Sequence, residues 1–390
     1  MYTGQIVFAQ LIDLLPRRAF DTCANRYHRG RAARRFSYRD QFLAMAFAQL
    51  TGRESLRDIQ ASLQPMQPKL YHAGFRCRSV PRSTLADAND RRDWRIWADL
   101  ASILIAQART QYADTALDVG LAQTVYAFDS TTIDLCLTLF PWAHFKKTKA
   151  AVKLHTLLDL RGNIPCFIRI TNANVHDIKA LDHLPIEPGA FYLMDRGYID
   201  FARLYRFEQA KARFVIRAKK NLRFAVRAST PVDKTTGLRC DQAIVLRGGK
   251  STTHYPDRLR RVRYTDPQTG QRLVLLTNCF TLDALTITEL YRARWQVELF
   301  FKWIKQHLRI KAFFGNSPNA VRTQVWIAVC IYVLIASLAQ AEAQAPPTSE
   351  ILKVLGVALF EKIPLKQVIL NASDPTSTQH HHNQLQLFNF

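Results

Sequence analysis

Four side chains near the end of the chain have types and spacing that could support chemistry on a charged substrate. Tyr291, Arg294, Glu298 and Lys305 stand at offsets of 0, 3, 7 and 14. At about 100° per residue these positions lie within roughly 60° of one another, so one helix would present all four on a single stripe. Taken alone, the stripe is explained as well by an Arg294–Glu298 ion pair on an ordinary solvated helix face.

Two aspartates follow strand-like runs in the middle of the chain. Asp129 comes after TVYAF, and Asp195 comes after FYLM. Each alone could shape a turn or cap a helix, but strand ends are also where α/β sheets place functional sites. With Glu298 they form a set of three carboxylates, which two-metal phosphodiester cleavage requires. Hard oxygen ligands favour Mg²⁺, with Mn²⁺ as a substitute, over zinc.

The first hundred residues have a helical pattern. Apolar runs end at turns such as Thr51-Gly52, and Ser55 and Ser83 are placed to cap helices. Seven arginines are interspersed: Arg17, Arg18, Arg26, Arg29, Arg31, Arg34 and Arg35. The segment predicts a basic all-helical module. Whether it contains a helix-turn-helix DNA reader stays open, because most helix pairs of this spacing bind nothing.

The middle of the chain changes to strands. From Thr124 the pattern predicts a strand, a turn and a second strand, then two more antiparallel strands, then a β-α-β unit that begins with residues 191–195. A second strand-rich segment occupies residues 221–283. Four arginines in this segment are predicted to present cations on both faces of one strand and to contact DNA: Arg258, Arg260, Arg261 and Arg263. A solvated edge strand explains them equally well.

Helical patterns return after Ala284 and continue to about Phe360. The uncharged stretch Val325–Ala341 is shorter than the roughly 20 residues of a membrane span, which favours a buried core helix. The patterns together predict a helical DNA-binding domain over 1–110, an α/β core over 120–220 and 284–345, and a β-strand insertion over 221–283. Residues 346–390 are predicted to form a C-terminal helix and a disordered tail.

Composition narrows the class of partner. The formal net charge is +23, far beyond what solubility requires, and a polyanion explains it best, with nucleic acid ahead of an anionic membrane. The N-terminal segment has its basic residues after its apolar ones, the wrong order for a secretory signal, so a cytoplasmic protein is expected. Seven scattered cysteines without C-x2-C spacing support neither a disulfide framework nor a zinc site.

The spaced signature Tyr-x2-Arg-x3-Glu-x6-Lys, with Asp129-Ser130 and Asp195-Arg196-Gly197-Tyr198 upstream, resembles the bacterial insertion-sequence transposases of the DDE class. The resemblance is to the group named after insertion sequence four. It implies a ribonuclease-H-like α/β core with a β-rich insertion, preceded by a helical domain and followed by C-terminal helices. It also implies that Asp129, Asp195 and Glu298 are the catalytic ligands of two metal ions, and that Tyr291, Arg294 and Lys305 hold DNA phosphates.

The function implied by this resemblance is cut-and-paste transposition in the bacterial cytoplasm, on the nucleoid. The enzyme would cut at terminal inverted repeats, in some relatives through a hairpin intermediate, and join the 3′ ends to target DNA as a homodimer. Relatives use an aromatic residue of the insertion to stack on a flipped base; this insertion lacks tryptophan, which leaves Tyr255, Tyr264 and Phe280 as candidates. The alternatives are a ribonuclease-H-like nuclease or resolvase, and a catalytically silent DNA-binding repressor or domesticated remnant.

Overall fold

The computed structural model describes residues 4–28, 35–115, 117, 120–146, 148–307, 310, 313–342 and 345–372. The chain divides into two compact units: Met1–Tyr112 with Lys302–Phe390, and Ala113–Phe301. The first unit is helical and the second contains the sheet. The division differs from the expected one in residues 302–345, which join the helical unit. The predicted tail and Arg29, Arg31 and Arg34 lie outside the described residues.

The described residues form thirteen α-helices. They are α1 (Val7–Ile12), α2 (Arg17–Arg26), α3 (Tyr38–Leu50), α4 (Leu56–Leu63), α5 (Arg82–Arg91), α6 (Arg95–Gln111), α7 (Phe201–Gln209), α8 (Gly249–His254), α9 (Ala284–Ala293), α10 (Trp295–His307), α11 (Pro318–Gln340), α12 (Thr348–Ala358) and α13 (Leu365–Asn371). Ser55 caps α4 as predicted, by accepting from the Asp58 backbone N–H at 3.0 Å. The Ser83 prediction is wrong, because α5 begins at Arg82, two residues earlier than a Ser83 cap implies, and its N-cap residue is Pro81.

The helical unit is built around α3 and α11. Every side chain of α3 from Asp40 to Leu50 is buried. Helix α11 is long and apolar enough to cross a membrane, but 89% of its most apolar window is buried inside the protein. The prediction of a buried core helix is therefore confirmed. Asn319 of α11 donates to the backbone oxygens of Asn89 and Arg92 at 2.8 and 2.6 Å, which ties the end of the chain to its beginning.

In the part of the chain that the structure describes, ten strands form one sheet. They are β1 (Val125–Leu135), β2 (His144–Lys146), β3 (Lys149–Asp159), β4 (Ile164–Asn172), β5 (Phe191–Met194), β6 (Arg213–Arg217), β7 (Phe224–Thr230), β8 (Leu238–Leu246), β9 (Leu259–Thr265) and β10 (Arg272–Thr277). The order is β2-β3-β1-β5-β6-β10-β9-β8-β7, and β4 also pairs with β3. The strands β7 to β10 of the predicted insertion thus extend the same sheet beyond β6.

Strand β1 is one continuous strand, so the prediction of two strands separated by a turn is wrong. It pairs antiparallel with β3 along its whole length, from Tyr126↔Asp159 to Leu135↔Ala150. On its other side it pairs in parallel with β5 only as far as Phe128↔Met194. The continuous β3 ladder satisfies the backbone groups that the expected turn would have freed.

The insertion strands also share the core of the sheet unit. Ile244, Leu246, Tyr255 and Leu259 belong to one buried cluster with residues of β1, β5, β6 and α7. That cluster contains Tyr126, Tyr192, Phe207 and Phe214, whose rings meet at centroid distances from 5.0 to 6.3 Å. Because these insertion residues share one core with the other strands, the sheet unit is expected to fold as a whole.

Arg260 of β9 lies in the interior, which overturns its prediction as a DNA contact. It shares a strand face with buried Val262 and Tyr264 and is only 6% exposed. Its guanidinium makes two bonds to Asp241, at 2.8 and 2.7 Å, and donates to the Cys279 and Leu282 oxygens. A buried ion pair of this kind neutralises both charges and leaves nothing for a phosphate.

Truncation of Arg260 should therefore reduce stability and not DNA recognition alone. Arg260→Ala leaves Asp241 buried without its partner, and we expect it to lower the free energy of unfolding by about 3–5 kcal/mol, measured by urea denaturation. Arg263→Ala, three residues along the same strand at an exposed position, is the matched control and should change it by less than about 0.5 kcal/mol. Equal effects of the two variants would contradict the structural role of Arg260.

Candidate active site

Asp129 and Asp195 occupy equivalent positions on neighbouring parallel strands. The β1–β5 pairing ends at Phe128↔Met194. Asp129 directly follows Phe128, and Asp195 directly follows Met194. Asp195 follows the end of β5 as predicted, whereas Asp129 lies inside β1 and not after its end. Since adjacent parallel strands run side by side, the two carboxyl groups emerge from the same edge of the β1–β5 pair.

The segment that carries Tyr291, Arg294 and Glu298 forms two successive helices and not the single helix predicted. Helix α9 ends at Ala293, and α10 begins at Trp295. Arg294 stands between them in a helical backbone conformation, with bonds of i to i+3 type on both sides. Arg294 and Glu298 remain on one face despite the tighter i to i+3 turn, because Arg294 bonds Glu298 one turn later, at 2.6 Å.

Arg294 links the helical carboxylate to the sheet. Its guanidinium donates to Asp129 Oδ2 at 3.0 Å and to Glu298 Oε1 at 2.6 Å. The Tyr291 hydroxyl donates to Asp195 Oδ1 at 3.4 Å. The structure therefore brings Asp129, Asp195, Glu298, Tyr291 and Arg294 together through three contacts.

Burial makes the charges of this cluster costly. Burial raises the pKa of Asp129 to about 6; the Ser130 backbone N–H and Arg294 oppose this, and Glu298 and Asp195 add to it. Burial also raises the pKa of Tyr291 to about 12, against the nearby positive charges of Arg294 and Arg217. For Arg294 burial alone lowers the pKa, but the hydroxyl of Tyr291 and the two carboxylates outweigh it, so its pKa is raised.

A group of polar side chains that the spacing argument did not single out surrounds Asp129. The Ser130 backbone N–H donates to Asp129 Oδ1 at 2.8 Å, and the Tyr198 hydroxyl lies 3.5 Å from the same oxygen. The Ser130 hydroxyl donates to Asp177, which Lys153 also approaches, at 3.1 Å. The motif Asp-Arg-Gly-Tyr was the sequence signal for Tyr198, whereas Lys153 carried none.

Two histidines near this region have structural partners. His155 is fully buried and its Nε2 bonds the Thr171 hydroxyl at 2.9 Å. Burial lowers the pKa of His155 to about 4, so the ring is neutral at physiological pH. His176 accepts from the backbone N–H of Ile178 at the start of a short 3-10 helix. Both therefore hold the polypeptide in place.

The remaining predicted residues are Lys305 and three arginines of the insertion, Arg258, Arg261 and Arg263. Lys305 lies in α10, half-buried, among the residues that group with the helical unit. Arg258 precedes β9 and is exposed, as is Arg263. Arg261 is half-buried, donates to Gln242 at 2.8 Å and lies over the Phe224 ring.

The carboxylates suit a divalent cation in chemistry, although no three of them converge on one point. Within the described residues, no group of three or more His, Cys, Asp or Glu side chains is arranged to hold a metal ion. Arg294 instead places its positive charge between Asp129 and Glu298. Carboxylate oxygens are nevertheless the ligand type that hard metal ions prefer.

Comparison with known families supports a nucleic-acid enzyme. A family model described as "Transposase DDE domain" matches residues 120–334. A second model, "Domain of unknown function (DUF4372)", matches residues 3–76. The first match covers the strands, the insertion and the helices that carry all the cluster residues.

Relatives of this chain are also named as transposases. "Putative transposase y4zB" of Sinorhizobium fredii is 34% identical over 281 residues, 71% of this chain and 77% of the relative. "Putative transposase for insertion sequence element IS4SA" of Synechocystis is 24% identical over 320 residues, 79% and 86% of the two chains. A piggyBac transposase synaptic complex with hairpin DNA is similar at TM-score 0.42 and 11% identity, over 98% of this chain and 81% of that one, too slight to establish a shared fold.

The chain belongs to the family of transposases with a DDE domain. It is a bacterial insertion-sequence transposase that binds DNA, cleaves it and transfers its strands, and its sheet unit is a ribonuclease-H-like core. Enzymes of this family use divalent metal ions. This finding favours transposition over the alternative of a nuclease or resolvase that cuts without joining.

The raised pKa of Asp129 predicts a pH-dependent cost. Its folded pKa of about 6 lies above its ordinary value of 3.8, so the stability it contributes is present below pH 3.8 and is lost as pH rises through 6. Asp129→Asn should therefore gain about 3 kcal/mol relative to the wild type between pH 4 and pH 8, measured by urea denaturation in chelator. Asp134→Asn, exposed on the same strand, is the matched control; a pH-independent difference for Asp129→Asn would refute the prediction.

Proposed function

We propose that Asp129, Asp195 and Glu298 are the catalytic metal ligands and that they hold two Mg²⁺ ions, with Mn²⁺ as a substitute. The observation that carries this proposal is the link from Glu298 through Arg294 to Asp129, beside Asp195 held by Tyr291. When bound, the ions supply an activated hydroxyl nucleophile and a stabilised leaving oxygen for phosphodiester chemistry.

Arg294 and Tyr291 have a second role in this proposal. Both reach the carboxylates, and both can donate to an anion. A bidentate guanidinium suits a phosphate as well as it suits two carboxylates. Arg294 therefore exchanges its carboxylates for a DNA phosphate near the cut when the metal ions and DNA are bound, with Tyr291 and Lys305 as further phosphate donors.

The proposed reaction is cut-and-paste transposition at terminal inverted repeats, with transfer of the 3′ ends to target DNA. Pairing of two ends requires a homodimer in the synaptic complex, and catalysis through a hairpin would place one base outside the duplex. Of the three aromatic residues considered in the insertion, Tyr255 and Tyr264 are buried at 1% and 5% exposure, whereas Phe280 is 49% exposed. Phe280 is thus the candidate for stacking on that base. The cytoplasm, on the nucleoid, is the proposed location.

The helical unit is the proposed reader of the repeats. Arg57 in the first turn of α4 and Arg82 at the start of α5 are exposed and line one open cavity of about 540 Å³. Two cations on neighbouring helix starts can contact backbone phosphates and fix the register of a helix on DNA.

Loss of Arg57 and Arg82 should weaken binding to the repeat end. The double Ala variant is expected to lower the slope of log affinity against log salt by about 2, because about 0.9 is lost for each phosphate contact. Fluorescence anisotropy with a labelled repeat duplex measures this. Lys353→Ala, at an exposed position of α12, is the control, and a slope equal to that of this control would remove α4 and α5 from the interface.

Glu298→Gln tests the catalytic assignment. The substitution removes a metal ligand at nearly constant volume, so cleavage of a labelled duplex with the flanking repeat should be lost in Mg²⁺ and in Mn²⁺ while end binding persists. Glu289→Gln, at an exposed position of α9, should cleave like the wild type. Metal-dependent cutting by Glu298→Gln would disprove the site, and a wild type that binds without cutting would indicate the silent repressor or remnant.

A further inference from the structure

A cavity of about 240 Å³ on the sheet unit is surrounded by cations. None of the described residues that line it is an aspartate or a glutamate. Its charged lining consists of Arg196, Arg217, Lys219, Lys220, Arg261 and Arg272. These residues come from four separate places in the chain: the turn after Asp195, the end of β6 with its following turn, β9 and β10. The cavity therefore exists only once the insertion strands have joined the sheet.

The charges of this cavity are not neutralised within the protein. Among the described residues, none of the six forms an ion pair with a carboxylate. Lys219 contacts only the Ile199 backbone oxygen at 3.4 Å, and Arg261 bonds Gln242 and lies over the Phe224 ring. Six like charges around one small volume repel one another, and a bound anion would relieve this repulsion.

Residues that line the cavity are close to the proposed catalytic carboxylates, both in sequence and through electrostatic interactions. Arg196 directly follows Asp195, and the charge of Arg217 acts on Tyr291, whose hydroxyl contacts Asp195. A strand of DNA that passes Asp195 would reach the cavity within a short distance of the reacting phosphate. The wall also contains Leu222, Phe224 and Val274 beside the six cations.

We propose that this cavity, formed by Arg196, Arg217, Lys219, Lys220, Arg261 and Arg272, binds backbone phosphates of a DNA strand beside the reacting phosphodiester. This inference rests on the proposed function and deepens it, because it assigns to the insertion a DNA-binding role in addition to its structural role in the sheet. The bound strand belongs either to the element end or to the target, and these two sources share the same phosphodiester chemistry.

The experiment removes two exposed cations of the cavity and compares them with two exposed cations elsewhere on the same sheet. The test variant is Lys220→Ala with Arg272→Ala, and the control is Arg227→Ala with Arg239→Ala on β7 and β8. Both lower the net charge equally, and the two thermal melting curves show whether each variant folds. Anisotropy in chelator measures the salt dependence of binding, first with a duplex that ends in the repeat, then with a target duplex added to protein that holds a pre-cleaved end.

If the cavity holds the element end, the slope of log affinity against log salt falls in magnitude by about 2 for the test variant in the first arm, and it does not fall for the control. If it holds target DNA, the loss appears in the second arm only. Slopes equal to those of the control in both arms would overturn the proposal. A wild type that binds DNA with the full slope but never cleaves would instead refute the proposed catalysis, so the two failures are distinguishable.

Discussion

The acidic cluster depends on one guanidinium. Three carboxylates near one another, with Asp129 largely removed from water, repel unless a cation lies among them. Arg294 supplies that cation to Asp129 and Glu298 at hydrogen-bond distance, and it stands between the end of α9 and the start of α10, whose first turn contains Glu298. The same positive charge acts to lower the pKa of Asp129, although burial outweighs it and raises that pKa to about 6. The cluster thus already accommodates one positive charge among its carboxylates.

The sheet fixes the positions of the two aspartates in this cluster. Strand β5 is buried at all four residues, which is typical of a parallel strand covered on both faces. Its pairing with β1 stops where the two aspartates begin, so the side chains that need water and cations emerge at the point where the hydrophobic run ends. Below them, Phe128 packs on Tyr198 with ring centroids 5.0 Å apart, which holds the Tyr198 hydroxyl near Asp129.

The insertion shows how similar residues acquire different roles. Arg260 and Arg261 are neighbours on β9, and strand alternation turns them to opposite faces. Arg260 meets Asp241 in the interior and stabilises the sheet, whereas Arg261 faces the cationic cavity. A net charge of +23 predicts a nucleic-acid partner, but it does not reveal which arginines meet that partner and which are already neutralised.

The sequence by itself determined the family, the carboxylates worth testing, the helical and strand segments, and the buried nature of α11. These follow from local signals: residue spacing, alternation, and runs of apolar residues. Tertiary structure alone decided that Asp129 lies inside a continuous strand, that Arg294 divides a helix and joins two carboxylates, that Arg260 is in the core, and that β10 pairs with β6. Each of these depends on partners far away in the chain, because pairing along β3, burial beside Asp241 and contact across the sheet leave no mark on the spacing of neighbouring residues.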